Sequence, residues 1–409
     1  MSERVVFAGG RVFDATGTDV ADGDVVVEGG RIVEVGTDLD GDEQVDCTGA
    51  TVFPGFIDCH VHFMHSGDLD PMSAVRAPFS LRYYEAARNM AATLAGGVTS
   101  VRDAGGTDLG VKTARDRRLI AGPRTTIAIS MLSQTGGHGD SWEVCGAHLP
   151  RWNHLSPTIP HGVVDGPDEM RKKVRELVRA GAEVIKVCTS GGVLSPRDDP
   201  RHGHFRDAEL AVLVEEATAA GLYVMAHAQA TDGIKAAVRN GIRSIEHGIF
   251  LDDEAIAMML EQGTYLVPTL MAPRGVLEAA AAGIAVPEVA IAKTKMVMES
   301  HRDSIAAAVA AGVKVAMGTD SGVFPHGRNL EELALMVECG MTPADALAAT
   351  TRVAAELIGI DDQVGTIEPG KRADLVLVDG DPLDVKALPA NIRAVYLDGE
   401  LVDVDDVRS

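Results

Sequence analysis

At 409 residues the chain is long enough for one large domain and a smaller one, each with a buried core. A hydrophobic content of 46% with 44 glycines describes a compact globular chain, which excludes a disordered or fibrous one. The formal charge of −23 argues against nucleic acid or an anionic membrane as partner.

Residues 1–52 alternate short β-rich runs with glycine turns (RVVFAGGRVFD, DVVVEGGRIVEVG, EQVDCTGATV), a pattern of hairpins. The far end behaves likewise in ADLVLVDGD and AVYLDGELVDV. Both ends are acidic, net −9 over residues 1–50 and −7 over 351–409, which we read as a solvated coat. We expect the two ends, 1–54 and 358–409, to meet as one small β-sandwich domain, with residues 55–357 inserted as a second domain.

In that middle stretch the period changes. Short apolar strands alternate with helices: FPGFIDCHVHF, GVTSVRDAG, RTTIAISMLSQ, EVIKVCTSGG, LYVMAHAQ, SIEHGI, TYLVPTLMA and VKVAMGTDSG, separated by stretches such as LRYYEAARNMAATLAGG and DEMRKKVRELVRAGA. Several helices end in glycine. Eight such units predict an α/β fold of the (β/α)8 TIM-barrel type, whose active site lies at the C-terminal strand ends.

The chemically able residues fall at those ends. His60 and His62 are two apart in strand one, hence on one face, and two imidazoles aimed at one point make half of a metal site. Lys186 lies in strand four, and His227, His247 and Asp320 end strands five, six and eight. With this set, and with the tail GTIEPGKRADLVLVDGDPL, the chain resembles the metal-dependent amidohydrolase superfamily. GGVLSP and AHAQ…SIEHG narrow the likeness to the branch of Xaa-Pro and Xaa-Arg dipeptidases, with imidazolonepropionase-like enzymes nearby.

Four histidines, an aspartate and a lysine are too many ligands for one catalytic zinc, which takes three protein ligands, so two divalent ions are expected. Zinc is the first expectation, although such sites also accept Mn, Co or Fe. The neutral amine of Lys186 can add CO2 to form a carbamate that bridges both ions; the plainer alternative is an ion pair with Asp320. The resemblance implies that His60, His62 and Asp320 hold one ion and His227 and His247 the other. It further implies a bridging hydroxide as nucleophile, with Asp320 as general base and then acid. The expected reaction is hydrolysis of a peptide or N-acyl amino acid amide; the alternative is a cyclic amide (imidazolone or lactam) on the same fold. Deamination is disfavoured by Lys186 together with Gln229, and a non-catalytic scaffold by the retention of all six ligands.

Other residues are weaker candidates. His138, in SQTGGHGD, is implied by the resemblance to contact the substrate carbonyl or its oxyanion; otherwise it merely meets solvent. Residues 135–167 read as a long lid or binding loop carrying Trp142, Trp152, His148, His154 and His161. Gln229 stands where the dipeptidase branch often has a tyrosine that helps hold a substrate carboxylate, and Arg197, Arg201 or Arg206 are candidates to supply the missing charge. Cys188 is expected to line the pocket and Cys59 to face outward onto helices. A second metal site at His202 and His204 is a minor alternative. Five cysteines build no disulfide framework, and the chain shows no secretory signal or membrane span, so a cytoplasmic homo-oligomer acting on a small-molecule amide or dipeptide is expected.

Overall fold

Strands Ile185–Cys188, Val224–Ala228, Ser244–His247 and Tyr265–Val267 are buried at every position, as strands covered on both faces must be. In this computed structural model, which describes residues 3–17, 19–149 and 156–403, they pair in parallel in that order, with Met131–Leu132 on the edge beside Ile185–Cys188. A second parallel sheet joins Phe56–Val61, Val98–Asp103 and Arg124–Ile127. The arrangement is a TIM-barrel-like α/β fold.

Two places differ from eight uninterrupted strands. The third is broken at Ile129, whose left-handed φ of 66° leaves two short pieces, Arg124–Ile127 and Met131–Leu132. The eighth forms no full ladder. Parallel bridges Leu266↔Val315 and Val61↔Ser321 tie it to both neighbours, and Ala316 N and Met317 O bond to Leu266 O and Cys59 N. Gly318 permits this approach, since a Cβ there would lie 3.1 Å from the His60 backbone nitrogen.

The helices follow their sequence signals. Pro167–Ala180 starts with Pro at its first position and Asp168 and Glu169 in its first turn, buries Met170, Val174 and Leu177, and stops at a left-handed Gly181. Asp252 caps Asp253–Gln262 by accepting from Ala255 N at 2.8 Å.

Strands from both chain ends share one eight-stranded sheet, in which Ala50–Pro54 pairs antiparallel with Leu375–Asp379. The expected Gly-Gly hairpin is present: Gly29 and Gly30, at φ 59° and 76°, join Ala21–Glu28 to Arg31–Gly36. This sheet buries its own apolar cluster, including Phe7, Val25, Val52, Leu375 and Tyr396. Among the described residues no helix is long and apolar enough to cross a membrane.

Candidate active site and metal centre

His60, His62, Lys186, His227, His247 and Asp320 all line one cavity. Alternation along the strands puts Lys186 and Cys188 on the cavity side together, while Cys59 packs outward with Ala354 and Leu357 of the helix Arg352–Ile358. His247 and Asp320 adopt left-handed backbone (φ 74° and 62°), as does Thr269 (φ 51°). Non-glycine residues hold such conformations at a cost of about 1–3 kcal/mol each, so three around one cavity mark a place where aim outranks stability.

Each histidine is turned by a bond to one ring nitrogen. His60 Nδ1 lies 2.7 Å from Glu246 Oε2, and His62 Nδ1 lies 2.8 Å from the Gly105 carbonyl. His227 Nε2 bonds the Gly191 carbonyl at 3.0 Å, and His247 Nδ1 lies 2.7 Å from Thr269 Oγ1. Carbonyls and carboxylates only accept, so the first three rings carry their proton on the bonded nitrogen and present the other as a lone pair. His60 Nε2 and His62 Nε2 stand 3.6 and 3.2 Å from Asp320 Oδ1, and Lys186 Nζ stands 3.3 Å from His60 Nε2. One ligand atom from each of His60, His62 and Asp320 lies within 4.8 Å of the other two, a spacing that fits a divalent ion. The second histidine pair is adjacent, with ring centroids 4.6 Å apart for His227 and His247 and 5.2 Å for His60 and His247.

The protonation states of three histidines, the lysine and the aspartate suit metal ligation. Burial holds His60, His227 and His247 well below the ordinary histidine value, in the neutral ligand form. Burial likewise lowers Lys186 and favours its neutral amine. His62 is the exception: burial works downward, but the bond to Asp320 and its charge carry the net shift upward, toward the protonated ring, so its proton must leave before Nε2 can hold a cation. For Asp320 burial works upward, but His60 and His62 bring it below the usual carboxylate range.

Glu246 is the residue beneath this arrangement. Fully buried, it accepts from His60 on one oxygen and from Arg102 Nη2, at 2.9 Å, on the other. Glu246→Ala therefore releases the His60 ring and strands a buried guanidinium. We expect a 10–100-fold loss of metal affinity and a destabilisation of about 3–5 kcal/mol. Metal titration and denaturant unfolding check both.

Glu332 is a second buried carboxyl near the site. It accepts from the Leu270 and Met271 backbone nitrogens at 2.6 and 2.7 Å, yet burial pushes it up to about 8 from 4.5. The folded state thus holds a proton that the unfolded chain releases, so this stabilisation is complete below pH 4.5 and is lost as pH rises through 8. The melting temperature of metal-free protein should fall across that window, and Glu332→Gln, which cannot titrate but keeps only one of the two acceptors, should flatten the fall while lowering stability at every pH.

The weaker candidates are distributed as follows. His138 lines the cavity and stacks on His227 at 4.2 Å between centroids; its Nδ1 lies 2.8 Å from Ser195 Oγ. Burial would raise the neighbouring Asp198, but His138, Ser195 and Lys293 bring it down to about 2. Gln229 and Cys188 also line the cavity. Arg197 does not: its guanidinium pairs with Glu143 and lies over the Trp142 ring at 5.3 Å. Arg201 pairs with Asp199, and Arg206 bonds the Phe205 carbonyl. Trp142 bridges to His148, whose ring meets His161, whereas Trp152 and His154 lie outside the described residues.

The model of the Amidohydrolase family matches residues 51–402. The chain belongs to the amidohydrolase family. Ochratoxinase of Aspergillus niger is 34% identical over 366 residues, covering 86% of this chain and 75% of that protein. Imidazolonepropionase of a Geobacillus species is 29% identical over 402 residues, covering 88% and 84%. The crystal structure of a Xaa-Pro dipeptidase with bound methionine in the active site superimposes with a TM-score of 0.89 at 33% identity, covering 98% of this chain and 99% of that one. This amidohydrolase is accordingly an enzyme that hydrolyses amide C–N bonds.

Sequence reasoning missed the partners that turn the ligands. Glu246 carried a readable signal, an acidic residue beside a candidate ligand in a strand that is buried at every position. Thr269, Ser195 and Lys293 carried none, because each meets its partner only through the tertiary fold.

Proposed function

We propose that this amidohydrolase is a binuclear, metal-dependent enzyme cleaving a peptide or N-acyl amino acid amide, in the manner of a dipeptidase or carboxypeptidase. The observation that carries this reading is the set of four buried histidines turned by separate partners around Lys186 and Asp320. His60, His62 and Asp320 would hold one ion, His227 and His247 the other, with Lys186 as a carbamate between them and zinc as the first choice of metal. When bound, the ions supply Lewis-acid polarisation and lower the pKa of water.

The chain's own residues then divide the work. The Lys186 amine forms an N–C bond to CO2 and gives one proton to solvent. Asp320 takes a proton from the attacking water and returns it to the leaving nitrogen. His138 donates to the oxygen that becomes negative, and Gln229 contacts the substrate beside it. We also read the terminal sheet, with its separate core, as a domain of its own over 1–54 and 358–409.

The test is a screen of metal-loaded protein, with bicarbonate, against dipeptides, N-acyl amino acids and lactams. Turnover of the first two classes is expected. Turnover of lactams alone would favour cyclic-amide hydrolysis, the reading that the imidazolonepropionase likeness supports. No turnover in any class would overturn both.

A further inference from the structure

The long helix Glu288–Ala311 presents Val297 and His301, four residues apart, to the cavity. One turn earlier on the same face, Lys293 donates to the Gly192 and Ser195 carbonyls at 3.0 and 2.8 Å and to Asp198. It thereby holds the loop bearing Val193 and Leu194, two further wall residues.

His301 is 1% exposed, and its Nε2 lies 3.0 Å from the His247 carbonyl and 2.8 Å from that of Pro268. Two acceptors on Nε2 place the proton there, so Nδ1 carries the lone pair. That Nδ1 is buried and has no hydrogen-bond partner among the described residues. A buried acceptor left unmade costs stability, and a ligand donor that reaches this one would recover it. The surrounding wall is apolar: Ile249, Ala272, Pro273, Val276 and Val297. Gln229 Oε1 is a second unpartnered acceptor in the same cavity. Among the described lining residues there is no arginine, and the one lysine is Lys186, so nothing basic is spare to meet a carboxylate.

We propose that His301 is a specificity residue whose Nδ1 accepts a hydrogen bond from the α-amino group of a dipeptide with an apolar N-terminal residue. This deepens the amide-hydrolase reading and rests on it. An N-acyl amino acid or a lactam has no donor beside its scissile N–H, whereas the amino group of a dipeptide stands one carbon from the scissile carbonyl. The side chain of that residue meets the apolar wall.

The experiment compares a leucyl dipeptide with its 4-methylpentanoyl analogue, in which hydrogen replaces the amino group, on metal-loaded full-length protein. The wild type should prefer the dipeptide by about 10–100-fold in kcat/KM. His301→Phe keeps the ring shape but removes the acceptor, and should reduce that ratio to below about threefold, chiefly through KM, while thermal melting reports separately the loss of the two carbonyl bonds. Inhibition by leucine and by 4-methylpentanoate gives the same comparison without any variant, with leucine expected to bind tighter. Equal wild-type rates, or an undiminished ratio in His301→Phe, would overturn the proposal alone. Cleavage of neither compound would overturn the parent reading with it.

Discussion

Lys186→Ala should abolish turnover, by on the order of 10³-fold or more, and lower the bound metal below that of the wild type. The reasoning begins with burial. Lys186 is 2% exposed and stands 3.3 Å from a ring nitrogen that is itself a candidate ligand. An ammonium there would repel cations, whereas burial lowers its pKa and makes the neutral amine available. Carbamate formation converts a repelling group into an anionic one with two oxygens. Alanine removes that charge and leaves a space the length of the side chain. A short carboxylate such as acetate or propionate should enter it and restore part of both metal content and rate, which a merely structural lysine would not allow. Metal analysis, thermal melting and rates measured with and without added carboxylate form the test. Wild-type turnover in the alanine variant would refute the carbamate.

Asp320→Asn should lower kcat by about 10²–10⁴-fold, the range for a positioned general base, with a further loss if the metal occupancy drops. The carboxylate sits at a left-handed turn, 3.2 Å from His62 Nε2, and its net shift is downward, so it is ionised and ready to accept a proton. Asparagine has nearly the same shape but cannot take a proton at neutral pH. The melting temperature should change little by comparison. A variant retaining a tenth of the wild-type rate at full metal occupancy would assign the proton transfer to another group.

How much of this was legible before folding follows from what each signal depends on. The βα alternation, the glycine stops and the Gly29-Gly30 hairpin are local, so seven of the eight expected strands appear as segments where the pattern places them. The eighth and the interrupted third were read as continuous because apolar content does not report backbone φ at Ile129 or the sparse bridging of residues 313–321. The six candidate ligands were legible because strand periodicity points alternate residues one way and the fold gathers strand ends. The surroundings of Arg197 were not legible for the opposite reason: its loop has no period, and the fold pairs its guanidinium with Glu143 over the Trp142 ring.

The sequence by itself determined which residue types could bind cations, which strand each rides on, and that two acidic ends flank a repeating α/β middle, since all of these depend on neighbours within a few positions. Only the tertiary structure decided which nitrogen of each imidazole faces the cavity, that Glu246 and Thr269 turn two of the rings, and that His301 brings an unmatched lone pair into an apolar wall. Those facts depend on groups tens to hundreds of residues apart. A hydrogen bond has direction, and direction exists only once the chain is closed.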